Sequence, residues 1–375
     1  MNKKEIAEIK RLMSKDRVCI NRLAGCYVNS DKEKVLTFVQ PLLALQEDEM
    51  EKYLDLLKKG LSGTVGKNLL NLEFPLEQEM EGGIQARLMA LRKCELKDEE
   101  LVNAFYDSII ETWYHPENYL ILLVNGAYDV PGKGTDNIEM EDASSEVFHF
   151  IYCILCPVEL SPAGLCYDNE SNSIRECFRN WVVGMPEQGF LFPSFNDRGT
   201  DIHNVLYYSK DAKEFCGELM EQLLGCHQPM TAPVQKAAFQ SLVEESLGDD
   251  CSYSTVRSLH EKLNELVEEK KNEPELPTLG KAEVKTLLER SGASEEAIKR
   301  VEERFEEDFG PKESLLVTNV AETKKFEVKA PEISVKVTPE FAEMMEIKEI
   351  DGANCLVIPL SGDVEVNGIM VREKA

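Results

Sequence analysis

The feature that most limits the fold is a set of short apolar or aromatic runs in the middle of the chain. The runs are NYLILLVNGAYDV at 118–130, EVFHFIYCILCPV at 146–158, GFLFPSF at 189–195 and HNVLYYS at 203–209. Gly, Pro, Asn and Asp bound each run, and these residues interrupt regular structure. The pattern therefore predicts that the four runs are strands of one sheet.

Helical patterns surround these runs. Residues 2–13 place Ile6, Ile9 and Leu12 at helical spacing, which predicts an opening helix with one apolar stripe. Residues 17–39 read as two strands joined by a polar turn. Further helices are predicted at 46–60, 76–94, 98–113, 211–224, 233–247 and 253–271, with Asp98 as an N-cap.

The last third of the chain has a different organisation. NEPELPTLG at 272–280 has two prolines and no periodicity, which indicates a linker. A helical pair follows at 281–310, and residues 311–375 have period-two patterns with hairpin turns at Asp351-Gly352 and Asn367-Gly368. The sequence thus predicts an α+β protein: a mixed helical and sheet main domain over 1–271 and a small antiparallel β-rich module at the carboxyl end.

The net charge of the chain limits the classes of molecule that it can bind. The 375 residues carry a formal net charge of -27, and 43% are hydrophobic and 30% charged, which is typical of a folded globular chain. A field of that sign repels nucleic acid and anionic membrane surfaces, so a protein is the expected partner. The amino terminus lacks a secretory signal, and the 11 Cys lack disulfide spacing, which indicates reduced thiols and a cytoplasmic location.

One stretch approaches a phosphate-binding loop. LSGTVGKNLLNLEFP at 61–75 contains Gly66-Lys67, but the leading Gly position is Leu61 and the hydroxyl position is Asn68. A helix rather than a strand precedes it. The pattern favours a turn that ends this helix, and the sequence assigns no cofactor.

A second candidate is the CILCP stretch. Cys153 and Cys156 have the spacing of a redox dithiol or of half a zinc site, and His149 lies four residues before Cys153. Residues three apart in a strand point to opposite faces, which weakens both interpretations. Buried core thiols, a metal site and a redox pair remain the three alternatives.

The densest polar cluster is FNDRGTDIH at 195–203, directly after an apolar run. Asp197, Asp201 and His203 are residue types that bind divalent metals or share acid and base work, and Arg198 lies among them. The same residues are also ordinary in a loop that satisfies its own backbone. This cluster is the sequence's candidate catalytic site.

Six stretches together resemble one bacterial family. They are MNKKEIAEIK, AGCYV, LSGTVGKNLLNLEFPLE, ENYLILLVNGAYDVPGKGTD, GFLFPSFNDRGTDIH and LVIPLSGDVEVNGI, and the family they resemble is domain of unknown function 4317. The resemblance spans essentially the whole chain. It implies a cytoplasmic bacterial protein with no assigned activity and no catalytic residues to carry over.

Two functions follow as expectations. Complete catalytic motifs are missing and the charge is strongly negative, which favours a non-enzymatic protein-binding or regulatory protein. The alternative is a metal-dependent hydrolase of the phosphoesterase kind that uses Asp197, Asp201 and His203. The sequence leaves open whether the chain is an enzyme, and its oligomeric state.

Overall fold

The computed structural model describes residues 1–133, 139–310, 313–360, 364–366 and 369–371, with side chains for these residues except 133, 139–145 and 371. The chain forms two compact units, Met1–Ala232 and Pro233–Ala375. The predicted linker at 272–280 lies inside the second unit. Within the described residues, no helix combines the length and the apolar character that crossing a membrane requires.

The first unit holds five α-helices and twelve strands among its described residues. The helices are α1 Lys3–Arg11, α2 Glu47–Gly60, α3 Leu76–Glu79, α4 Ile84–Lys93 and α5 Glu99–Thr112, with a π-helical turn at Leu219–Leu223 and 3-10 turns at Lys15–Arg17 and Leu42–Ala44. The strands are β1 Ile20–Val28, β2 Lys34–Pro41, β3 Leu69–Glu73, β4 Tyr119–Lys133, β5 Glu139–Leu160, β6 Leu165–Asp168, β7 Ser173–Glu176, β8 Trp181–Val183, β9 Gln188–Phe192, β10 Ser194–Asn196, β11 Gly199–Asp201 and β12 Asn204–Ser209.

The main sheet has eight strands. Its order is β2-β1-β4-β5-β9-β12-β3, and β8 pairs with the end of β5. All the pairs are antiparallel. The four apolar runs became β4, β5, β9 with β10, and β12. The predicted sheet is confirmed for β4, β5, β9 and β12, whereas β10 pairs with β11 in a separate hairpin. β3 pairs with β12, and this strand was not predicted because its partner lies far along the chain.

The sheet separates two apolar cores, because alternate side chains of a strand point to opposite faces. On one face, Ile121 and Cys153 pack with α4, α5 and the turn at Leu219–Leu223. On the other face, Leu122 and Ile154 pack with α1 and α2. The first unit is therefore a three-layer arrangement of helices, sheet and helices, and the α+β class predicted from the sequence is confirmed.

Local signals placed most helices correctly. Asp98 caps α5, since its carboxylate accepts from the Leu101 backbone N–H at 3.1 Å. The predicted helix at 76–94 is divided into α3 and α4, because Gly82 has a φ of 87°. At 211–224 the structure has a short helical segment around the π-helical turn rather than a full α-helix.

The described residues of the second unit form helices and short hairpins. Its helices are α6 Ala232–Leu247, α7 Tyr253–Glu269, α8 Lys281–Arg290, α9 Glu295–Phe309, α10 Val317–Val320 and α11 Pro339–Ala342, with a 3-10 turn at Gly248–Asp250. Its strands are β13 Thr278–Leu279, β14 Leu315–Leu316, β15 Phe326–Ala330, β16 Ile333–Val337, β17 Glu346–Ile350, β18 Ala353–Val357, β19 Val364–Val366 and β20 Ile369–Val371. Four antiparallel pairs join β13 to β14, β15 to β16, β17 to β18 and β19 to β20.

The predicted helical pair and the first hairpin turn of this unit are confirmed. Ser294 caps α9 by accepting from the Ala297 backbone N–H at 3.2 Å, and Gly292 has a φ of 87°. Asp351 and Gly352, with φ values of 52° and 81°, form the two-residue turn between β17 and β18. The predicted Asn367-Gly368 turn lies outside the described residues.

Candidate functional site

The polar cluster at 195–203 is a tight hairpin. β10 and β11 pair with Asn196 opposite Gly199, so Asp197 and Arg198 form a two-residue turn. Both have positive φ, 51° for Asp197 and 57° for Arg198, as a type I′ turn requires. Asp tolerates this backbone conformation, whereas Arg adopts it at a cost in strain. The turn therefore fixes the direction of the Arg198 side chain.

Arg198 points away from its own loop and onto α1. Its Nε and Nη2 donate to the two carboxylate oxygens of Glu8, at 3.1 and 3.0 Å. Its Nη1 donates to the Pro131 carbonyl at 3.4 Å, and Tyr128 Oη donates to Glu8 at 2.8 Å. Both charged side chains are only 19% exposed. This arrangement joins the hairpin to α1 and leaves the guanidinium occupied.

Asp201 is surrounded by amide groups. Its Oδ2 accepts from the side-chain amides of Asn196 at 2.6 Å and Asn204 at 2.8 Å, and its Oδ1 accepts from the His203 backbone N–H at 3.0 Å. The network continues from Asn204 to Asn71, whose Nδ2 donates to Asn204 Oδ1 at 3.1 Å. The carboxylate is thus the acceptor that orders the connection from β11 to β12.

His203 faces a different carboxylate. Its Nδ1 lies 2.8 Å from Glu79 Oε1 at the end of α3. The hydrogen bond to Glu79, and then its negative charge, raise the pKa of His203 above the ordinary value. The imidazole side chain is 63% exposed. His203 therefore forms a partly exposed ion pair with Glu79, which joins α3 to the residue before β12.

The four predicted site residues engage separate partners. Asp197 is exposed at the turn, Arg198 binds Glu8, Asp201 binds asparagine amides and His203 binds Glu79. Across the described part of the chain, no group of three or more His, Cys, Asp or Glu side chains is arranged to hold a metal ion. Glu8 and Glu79 could not be found from the sequence, because each lies more than a hundred residues from its partner.

The CILCP thiols lie on opposite faces of β5. Cys153 belongs to the core under α5, and Cys156 belongs to the core under α2. His149 is exposed. Burial raises the pKa of Cys156 to about 12 and also raises that of Cys153, so both stay protonated. The two thiols cannot both face one ion, and they pack as small apolar residues.

The near-match to a phosphate loop is a turn between α2 and β3. The Thr64 carbonyl accepts from the backbone N–H groups of Lys67 at 3.0 Å and Asn68 at 2.8 Å. The Asn68 amide donates to the carbonyls of Ser209 and Lys210, each at 3.1 Å. These backbone and side-chain groups are thus occupied in joining α2 to the sheet edge.

A segment with no structure assigned from the sequence carries several exposed apolar side chains. Residues 161–185, here called the arm, contain the β6–β7 hairpin and β8. Its base is closed where the Ser161 N–H donates to the Asn180 carbonyl at 2.8 Å. Exposed large apolar side chains follow one another along it: Leu165, Tyr167, Ile174, Phe178, Trp181, Val182, Val183 and Met185. The sequence pattern that could have predicted β6 and β7 is the alternation of Leu165, Tyr167 and Ile174 with other residues.

A cleft of about 620 Å³ lies beside the base of the arm. Leu160 and Trp181 provide its apolar part, and Asn118, Glu117 and Glu159 provide polar atoms. Both glutamates are exposed, and no cationic side chain lines the cleft within the described residues. The cleft therefore combines an aromatic ring with negative charge, a combination that attracts a cation.

Comparison with protein families identifies a match over nearly the whole chain. A family model described as Domain of unknown function (DUF4317) matches residues 1–369. A search of curated proteins finds no match. The matched range includes both compact units, the polar hairpin and the arm. The resemblance seen in the sequence is confirmed, and the chain belongs to the DUF4317 family.

Proposed function

We propose that this chain is a non-enzymatic protein-binding protein and that the arm is its contact surface. The observation that carries the proposal is the run of eight exposed large apolar side chains in residues 161–185. Clustered exposed apolar side chains of this size are a common mark of interaction sites in soluble proteins. Aromatic residues such as Phe178 and Trp181 are also the residue types that dominate binding energy in protein interfaces.

Charge supports an apolar contact at this place. The arm has three acids, Asp168, Glu170 and Glu176, against two arginines, for a net charge of -1 within a chain of -27. Charge repulsion at the arm is therefore small, whereas the rest of the acidic surface repels acidic proteins. A partner with an apolar patch would release water from Phe178 and Trp181 without having to remove the hydration shells of many charges.

The cleft beside the arm specifies one further property of the partner. Glu117 and Glu159 lie next to Trp181, and a lysine or arginine of the partner would meet both the carboxylates and the ring face. The proposed partner is thus a protein whose apolar patch has a basic side chain at its rim. Replacing Glu159 with Lys should weaken such a contact by reversing one of the two charges.

The test compares two variants of the full chain. Phe178→Asp combined with Trp181→Asp places charge on the arm, and Leu76→Asp places charge on α3 at a side chain of nearly equal exposure, 77% against 79% for Phe178. Tagged forms are cross-linked in the native cell and purified under denaturing conditions. We expect a defined set of proteins with the unchanged chain and with Leu76→Asp, and its loss with the arm variant.

Two results would count against the proposal. One is a captured set that does not change when the arm is charged. The other is that the unchanged chain captures nothing above an untagged background. Light scattering on the purified chain separates self-association from binding to another protein, because a second copy would raise the molar mass of the unchanged chain but not of the arm variant.

The metal-dependent hydrolase remains the alternative prediction. It would require Asp201 and His203 to exchange their present partners for an ion, at the cost of the amide network and of the Glu79 pair. Thermal shift with Mg²⁺, Mn²⁺ and Zn²⁺ tests it, because specific binding raises the melting temperature by mass action. The alternative requires a shift that Asp201→Asn abolishes.

A further inference from the structure

Two cysteines lie on neighbouring strands of the arm. In the β6–β7 hairpin, Cys166 is opposite Arg175, and the ladder continues one step beyond β6 and β7, where the Cys177 N–H donates to the Gly164 carbonyl at 2.9 Å. Cys177 is therefore two positions along β7 from the residue opposite Cys166. Residues at this offset share a face of the hairpin and are diagonal neighbours.

The two thiols are diagonal neighbours on this face of the hairpin. The interaction with the Cys166 side chain is the largest cause that raises the pKa of Cys177. The raised pKa means that Cys177 holds its proton more firmly than an isolated thiol does. Both cysteines are only partly buried, so reagents in solution can reach them.

The surroundings favour reaction at Cys166. Arg175 lies directly across the hairpin from it, and its guanidinium, paired with Asp168 at 3.3 Å, places positive charge on this hairpin. The thiol of Cys156 differs, because it is buried and burial raises its pKa to about 12. A partly exposed thiol with a second thiol beside it is the arrangement of a reactive dithiol.

We propose that Cys166 and Cys177 are a reversible redox site that reacts with low-molecular-weight disulfides and closes a disulfide bond across the β6–β7 hairpin. The inference concerns the chemistry of the hairpin and does not depend on the arm binding a protein. Diagonal positions are typically about 7–8 Å apart between Cα atoms, just beyond the separations that a disulfide spans, so closure requires the ends of two short exposed strands to move together.

The reaction has two exchange steps. The Cys166 thiolate attacks one sulfur of the small disulfide, which breaks its S–S bond, forms a mixed disulfide on Cys166 and releases one small thiolate. Cys177 then loses its proton and attacks the Cys166 sulfur, which forms the protein disulfide and releases the second small thiolate. Two electrons pass from the two protein thiols to the small disulfide, and the two protons end on the released thiols.

The test uses the reduced full chain and glutathione disulfide. The chain is incubated in glutathione redox buffers at about pH 8, quenched with acid and alkylated, because acid stops thiolate exchange. Trypsin cuts after Lys133, Arg175 and Arg179, so the disulfide joins peptide 134–175 to the short peptide ECFR at 176–179. We expect this linked pair, and we expect dithiothreitol to reverse it.

Single variants distinguish the two sulfurs. Cys177→Ser should stop at a stable glutathione adduct on Cys166. Cys166→Ser should give no linked peptides and should form an adduct on Cys177 more slowly, because Arg175 lies opposite position 166 and Gly164 lies opposite Cys177. Cys251→Ser, which removes an exposed thiol of the second unit, is the control and should leave the linked peptides unchanged. The proposal is overturned if Cys251 is oxidised while Cys166 and Cys177 both remain open to alkylation. Equal rates for the two single variants would overturn the assignment of Cys166 as the attacking sulfur.

Discussion

The guanidinium of Arg198 forms two parallel hydrogen bonds with the carboxylate of Glu8, and these residues are 190 positions apart in the chain. The contact connects the β10–β11 turn to the first helix. Parallel charge-assisted bonds of this kind are the stronger class of protein hydrogen bond. Arg198, which the sequence suggested as a catalytic candidate, therefore makes a tertiary contact between two distant segments of the chain.

Removing the contact between Arg198 and Glu8 should destabilise the first unit. In Glu8→Gln the carboxylate is lost and the half-buried Arg198 guanidinium loses two charge-assisted hydrogen bonds, at a cost of about 2 kcal/mol in the free energy of unfolding. Urea unfolding followed by tryptophan fluorescence measures it, because both tryptophans, Trp113 and Trp181, lie in the first unit. Lys58→Ala breaks the exposed pair with Asp55 and should change stability by at most ~0.5 kcal/mol. Equal effects of the two variants would contradict the prediction.

The His203 pair predicts a pH dependence of defined sign. The pKa of His203 is raised in the folded chain by the hydrogen bond to Glu79. The stabilisation is therefore complete below the pKa of the unfolded chain, and it is lost as the pH rises through the folded pKa. NMR titration of the His203 ring should show a lower pKa in Glu79→Gln. An unchanged titration would mean that the pair does not form in solution.

Gly60 should not tolerate a side chain. A Cβ there would lie 2.2 Å from the hydroxyl of Tyr152 and 2.7 Å from Ile154. Tyr152 is buried and donates to the Leu57 carbonyl at 2.8 Å, so its ring cannot move away freely. Gly60→Ala should cost roughly 1–3 kcal/mol, as overpacking does. Gly164→Ala, which meets nothing within 4 Å, is the matched control and should leave the urea midpoint unchanged.

The CILCP thiols should be inert while the chain is folded. Cys153 and Cys156 are buried on opposite faces of β5, and burial favours the protonated thiols. Alkylation followed by mass mapping should modify exposed Cys251 first and these two only after unfolding in urea. A chelator should leave the melting temperature unchanged. Rapid native alkylation of Cys156, or a fall in melting temperature with chelator, would contradict this assignment.

Local signals explain what could be predicted. The caps at Asp98 and Ser294, the Asp351-Gly352 turn and the apolar runs of β4 and β5 are all determined by residues close in the chain. Each of these predictions is confirmed. The spacing of Cys153 and Cys156 in a strand also indicated that their side chains diverge, and they belong to different cores.

Distance along the chain explains what was missed. β3 is a strand because it pairs with β12, and the partners of Arg198 and His203 come from α1 and α3. The periodicity of the sequence does not indicate which distant segments pair in the fold. The strands β6, β7 and β8 are three or four residues long and exposed, so their apolar pattern was too short to stand out.

The division of the main sheet into two faces has a mechanical consequence. β4 and β5 supply side chains to both cores, whereas Leu91 of α4 and Leu54 of α2 lie on opposite faces of the sheet. Packing defects at two such separate sites usually add in their free energies, because neither can relax into the other. A packing defect in one helical layer should therefore destabilise the core on its own face of the sheet without disturbing the packing on the opposite face.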